Sequence, residues 1–241
     1  FVPAISLEGF ETANDGRRGP GVIEKVKHAM QLLKDHNLPF GISTCYTSAN
    51  YKDITSEKFY DMIIEAGALF IWFFHYMPDA APELMPNPEQ RKAVYERIRA
   101  FRSSKPIFSL DFQNDAEYIG GCIAGGRYYL HINAAGDVDP CVFIHYSNAN
   151  IHEVSLLDAL KSPIFQAYRK GQPFNDNMLR PCPMLENPEY LPKMVKETGA
   201  HSTDPQSPED VQHLCDKCKP YAEAWTKMAD KLWTERLEAK K

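Results

Sequence analysis

The stretch "GGCIAGGRYYLHINAAGDVDPCVFIHYSN", Gly120–Asn148, holds paired glycines, two runs of alternating residues and the two cysteines Cys122 and Cys141. The alternation predicts a β-hairpin, with Arg127 to Asn133 as one strand, Ala135-Gly136-Asp137 as the turn and Val138 to His145 as the antiparallel partner. Gly136 supplies the positive φ that a tight turn demands. Folding back at this turn carries Cys141, on the second strand, toward the chain entering from Cys122. Pro140 stiffens that approach, and Cys182 follows downstream between Pro181 and Pro183. A buried free cysteine usually acts as a small hydrophobe among aliphatics; three thiols on stiffened backbone point instead to a shared inorganic centre.

Upstream of the hairpin, strands alternate with amphipathic helices, the signature of parallel βαβ units. Strands are predicted at Val2 to Leu7, Phe40 to Tyr46, Leu69 to His75 and Ile107 to Phe112. A Gly-rich turn (Asp15, Gly16, Gly19, Gly21) leads into a first helix that carries Val22, Val26, Met30 and Leu33 and stops near Asn37. A second helix is capped by Thr55 and ended by Gly67, and a third opens at Asn87-Pro88 and reaches about Ser103. Composition changes near Asn114, which divides the chain into residues 1–113 and 114–241. The second part continues with a short helix from Ser155 to Lys161, a helix capped by Asn187-Pro188 and a helical tail from Pro208.

The 241 residues carry a net charge of -5 and are 44% hydrophobic, which argues against a nucleic-acid-binding surface and against disorder. "GALFIWFFHYMP", Gly67 to Pro78, is the longest apolar run and is too short to cross a bilayer, so no membrane span is expected. Six cysteines in a chain with an ordinary core composition favour a cytoplasmic metal site over a disulfide framework. Cys215-Asp-Lys-Cys218 has the spacing that lets two sulfurs face one ion or cluster.

Cys122, thirteen residues, Gly136, four residues, Cys141 resembles the opening of the SPASM or twitch domain that follows the barrel of many radical S-adenosylmethionine proteins. "ISLEG", Ile5 to Gly9, followed by "NDGRRGPG" from Asn14, resembles the fourth strand of that barrel and its loop. The resemblance covers nearly the whole chain. It implies an α/β fold: the second half of a partial (β/α)6 barrel, then a small α+β SPASM-like domain with a β-hairpin and helices. The strands at Phe40 and Leu69 would be the fifth and sixth of the barrel.

The resemblance further implies an auxiliary 4Fe-4S cluster held by Cys122, Cys141 and Cys182, with a fourth ligand from Cys215 or Cys218 or an open iron position. Zinc at Cys215 and Cys218 is the rival reading. Ser6, Glu8, Ser43 and Thr44, at strand ends, are placed near the ribose and amino acid part of S-adenosylmethionine; loop capping is the alternative. The Cys-x3-Cys-x2-Cys loop that binds the catalytic cluster is absent from these residues, so S-adenosylmethionine and a second 4Fe-4S cluster belong to a longer protein, and this chain alone is not expected to cleave the cofactor. The expected partners are the N-terminal half-barrel, or another chain covering the edge of the Val2 strand, and an electron donor. A non-enzymatic iron-sulfur or zinc scaffold is the alternative function.

Further candidates fall outside this set. Cys45, His75 and Tyr76 end strands, and Cys45 reads as a core thiol. His75 reads as a hydrogen-bonded wall residue, Arg17 and Arg18 either hold an anion or stay solvated, and His131 and His145 flank the hairpin as exposed or capped partners rather than cluster ligands.

Overall fold

A computed structural model describes residues 2–77, 81–204 and 206–240. The chain separates into two compact units, Phe1–Phe112 and Gln113–Lys241.

In the first unit, β1 (Ala4–Ser6), β2 (Gly41–Tyr46), β3 (Phe70–His75) and β4 (Phe108–Asp111) form one parallel sheet in chain order. Between them lie α1 (Glu11–Arg18), α2 (Val22–Asp35), α3 (Tyr51–Ile54), α4 (Glu57–Glu65) and α5 (Pro88–Ser104). Side chains alternate across a strand. Ile42, Tyr46, Ile71 and Phe73 therefore join Ile23, Phe59, Ile63, Val94 and Ile98 from the helices in one buried core. Ser43, Cys45, Phe70, Trp72, Phe74 and Leu110 take the opposite face and are only half-buried. Register sets Ser6 beside Ser43 and Trp72 beside Leu110 on that face. Helices packed against a single face of an ordered parallel sheet make an arc of a barrel, whereas a doubly wound sheet carries them on both faces. The barrel expectation is met by this topology.

Two local expectations about these elements are corrected. Asp15 and Gly16 lie in helix α1, and the Gly-rich turn is confined to residues 19–21; across it the Asp15 carboxylate accepts the Gly21 and Ile23 N–H groups at 2.7 and 2.8 Å and so caps the start of α2. The cap of α4 is Ser56, whose hydroxyl accepts Phe59 N–H; Thr55 instead donates to the Tyr51 carbonyl. At Asn87 the expected cap is present as a reciprocal capping box with Gln90.

The second unit contains β5 (His131–Ile132), β6 (Val138–Asp139), β7 (Tyr146–Ser147), α6 (Leu156–Ala159), α7 (Pro163–Lys170), α8 (Tyr190–Thr198), β8 (His201–Ser202) and α9 (Val211–Glu238). The hairpin is present between β5 and β6, and Gly136 turns it with φ +89°. It is much shorter than the sequence suggests. Pro140 has no N–H to continue the ladder, and the chain reverses again through a Cys141–Ile144 bridge, so Cys141 sits beyond the strand rather than on it. Tyr146–Ser147 then pairs with His201–Ser202 instead of with the first strand. Asn187 is likewise no helix cap: α8 starts at Tyr190, and the Asn187 amide donates to the Arg180 and Cys182 carbonyls. The tail is helical as expected, and the buried Trp225 of α9 donates its indole N–H to Leu179 O at 2.8 Å. Among the described residues no helix is long and apolar enough to cross a membrane.

Candidate iron-sulfur site

Cys122 is fixed through its backbone. The Gln172 side chain accepts Cys122 N–H at 3.1 Å and donates to Cys122 O at 3.2 Å, while Arg127 donates to the same carbonyl at 3.0 Å. Three residues on, Gly125 N–H donates to Pro140 O at 3.0 Å, which ties the Cys122 loop to the residue preceding Cys141. Cys182 lies in a loop closed on itself: Glu186 Oε2 accepts Cys182 N–H at 2.8 Å, and Asn187 donates its backbone and side-chain N–H groups to Cys182 O.

All three sulfurs act electrostatically on one phenol. Tyr168, fully buried on α7, has its hydroxyl 3.3 Å from Cys122 Sγ and feels the charge of Cys122, Cys141 and Cys182 alike. Cys122 is in turn coupled to Cys141 and to Cys182. Each sulfur also faces backbone donors from the residues after it: Ala124 at Cys122, Val142 and Phe143 at Cys141, and Met184 and Leu185 at Cys182, the last two at 3.4 Å. Such N–H groups favour an anionic sulfur and are the hydrogen bonds that accompany thiolates bound to iron.

Burial works the other way. It pushes all three thiols up, Cys141 to about 12, with Cys122 as a further cause at Cys141 and Glu186 and Cys122 at Cys182. Without a positive centre the thiols stay protonated; a metal or cluster that displaces the protons relieves that cost. The donor set therefore fits an iron-sulfur cluster. Among the described residues no three Cys, His, Asp or Glu side chains close on one point tightly enough for a single ion.

Cys215 and Cys218 project from α9 at adjacent turns, and both are pushed up to about 12, chiefly by burial. Cys218 feels Glu186, the same carboxylate that acts on Cys122 and Cys182, whereas Cys215 feels Cys218 and lies near Tyr146. Of the helical pair, Cys218 is thus the one on the Glu186 side. His131 is lowered by burial and by the neighbouring His145.

In the first unit, Ser6 and Ser43 lie on the half-buried face of the sheet. Thr44 does not: it is completely buried on the helical face and its hydroxyl donates to Leu7 O at 2.8 Å, so the alternation of the strand removes it from a cofactor wall. Glu8 is buried and already engaged, pairing with Arg18 and accepting Cys45 N–H at 3.0 Å. Arg17 lies over the Tyr76 ring and hydrogen-bonds Cys45, whose thiol is raised by burial against that guanidinium. His75 is buried with Nδ1–H donating to Tyr76 O at 2.6 Å, and burial and Arg91 hold it well below its usual range.

Sequence reasoning did not single out Tyr168, Glu186 or Gln172. Only Glu186 carried a signal, an acid four residues after a proline-flanked cysteine.

Residues 122–184 match the SPASM iron-sulfur cluster-binding domain. The chain is similar to the AdoMet-dependent heme synthase of Methanosarcina barkeri, 24% identical over 178 residues, covering 62% of this chain and 50% of that protein. An uncharacterized protein of Methanocaldococcus jannaschii is 29% identical over 146 residues, covering 57% and 47%. The chain thus spans about half the length of the curated relatives it matches. In fold it is similar to Streptococcus suis SuiB bound to S-adenosylmethionine, with a TM-score of 0.56 and 16% identity over 75% of this chain and 48% of that one. It is also similar to anSMEcpe with bound AdoMet and a peptide, with a TM-score of 0.52 and 15% identity over 98% and 70%. Residues 122–184 of the second unit thus match a SPASM domain, and the chain is similar in sequence and in α/β fold to radical S-adenosylmethionine proteins.

Proposed function

We propose that this chain is the C-terminal portion of a radical S-adenosylmethionine enzyme and holds one auxiliary 4Fe-4S cluster on Cys122, Cys141 and Cys182, with Cys218 as fourth ligand. What supports the reading is that Cys122 Sγ lies 3.3 Å from the buried Tyr168 hydroxyl, that Cys141 and Cys182 act on the same hydroxyl electrostatically, and that each of the three sulfurs faces backbone N–H groups. Cys218 is preferred over Cys215 because it shares Glu186 with Cys122 and Cys182. When bound, the cluster supplies an electron or a coordination site for substrate. The protein's part is to hold four thiolates, exclude water from them and direct N–H dipoles at the sulfurs.

Toward S-adenosylmethionine, Ser6 and Ser43 remain the hydroxyls on the half-buried face, and Glu8 shapes the wall by bracing Arg18 and Cys45. That face bears the aromatic row Phe70, Trp72, Phe74 and Phe112. An N-terminal half-barrel covering it would complete the cofactor chamber, and radical formation would take place there, in a cytoplasmic enzyme supplied by an external electron donor.

Anaerobic reconstitution of the chain with iron and sulfide, followed by metal analysis, tests the proposal. Iron near four per chain, with matching sulfide, is expected for a cubane. Zinc alone would favour the scaffold reading, and no metal would refute both.

A further inference from the structure

We infer that Tyr168 is a positioning residue for the auxiliary cluster, donating its hydroxyl proton to the Cys122 sulfur and so raising the cluster's reduction potential. This rests on Cys122 being a ligand. A thiolate bonded to iron carries no proton, so across the 3.3 Å contact the phenol is the only possible donor. Among the described residues Cys122 Sγ is the only hydrogen-bond partner of that hydroxyl, which is buried.

Packing holds the ring on target. Phe174 meets it edge-on, with ring centroids 5.1 Å apart. On another side the chain has a glycine: a Cβ at Gly125 would lie 2.2 Å from Tyr168 Cδ1, and Gly125 has φ +69°. The loop that carries Cys122 therefore comes against the ring at a point where no side chain fits. A hydrogen bond to a cluster sulfur withdraws charge from it and stabilises the reduced, more negative state. The backbone donors at the three sulfurs can be removed only by proline, which also changes the loop backbone, whereas this one is deleted by a side-chain substitution.

The test is an anaerobic redox titration, followed by electron paramagnetic resonance, of the reconstituted chain and of Tyr168→Phe. The variant is expected to hold the same iron per chain, show a more negative midpoint potential and lose an exchangeable-proton coupling to the cluster in heavy water. Phe174→Leu loosens the same ring yet keeps the hydroxyl, and its potential is expected to match the parent. An unshifted Tyr168→Phe potential, or an equal shift in Phe174→Leu, overturns the inference while leaving the cluster assignment standing. Should Tyr168→Phe hold no iron, the parent labelled with deuterated tyrosine decides: a coupled tyrosine deuteron supports the contact, and its absence overturns it. A parent without iron overturns the proposed function, and this inference with it.

Discussion

At Cys122, Cys141 and Cys182 the sulfur faces N–H groups of the residues that follow it, whereas at Cys218 the thiol donates to the Leu214 carbonyl of its own helix at 3.7 Å. The backbone explains the difference. In α9 each interior N–H is committed to the carbonyl four residues earlier, so a helical cysteine cannot gather backbone donors. A loop leaves its N–H groups available, and Pro140, Pro181 and Pro183 stiffen the loops that carry two of the three thiols. The loop set is prepared for negative sulfur, whereas Cys218 would give up its bond to Leu214 O on becoming a ligand.

The largest effect that separates the sets is in iron content. Alanine at Cys122, Cys141 or Cys182 should drop iron from about four per chain to below about one. Alanine at Cys215 should leave it near the parent value, and alanine at Cys218 should lose about one iron, as a cubane missing one ligand does. Equal losses at Cys215 and Cys141 would erase the distinction.

Stability sharpens it next. Gly125→Ala places a methyl against the Tyr168 ring at a backbone angle hostile to side chains, and should destabilise the second unit by about 2–4 kcal/mol in urea unfolding, with loss of iron. Trp225→Phe removes the indole donor to Leu179 O on the α9 side. It should cost about 1–2 kcal/mol in the same assay while iron stoichiometry holds.

The smallest effect belongs to the sheet unit and guards against misreading acid-induced iron loss. His75 has a folded pKa below its unfolded 6.5, so the native state binds fewer protons. Its contribution is complete above pH 6.5 and declines as pH falls below that value, by about 1 kcal/mol at pH 5.5. His75→Gln should flatten this part of the stability profile, as followed by circular dichroism; an unchanged profile would show that the imidazole is not the acid-sensitive group.

How much of this was written in the chain varies with the physics involved. The four parallel strands and their order were legible because apolar runs alternate with helical periodicity, and the Asn87-Pro88 start because its cap is local. The hairpin's turn was legible at Gly136, yet its length was not, because alternation continues past Pro140 while the hydrogen-bond ladder cannot. Asp15 and Gly16 read as part of a turn because of the neighbouring glycines, but they belong to α1, and the Asp15 carboxylate reaches Gly21 and Ile23, six and eight residues on. At the site, cysteine spacing disclosed the loop thiols. Tyr168 was hidden since an aromatic at helical spacing signals a core position, and only the three-dimensional meeting of α7 with two loops gives its hydroxyl a sulfur.

The most direct measurement is anomalous X-ray scattering at the iron edge from crystals of the anaerobically reconstituted chain. The account predicts one iron-sulfur centre bonded to the sulfurs of Cys122, Cys141 and Cys182, with Cys218 at the remaining iron. Iron bound only at Cys215 and Cys218, or a centre that leaves any of the three loop sulfurs unbonded, would contradict it.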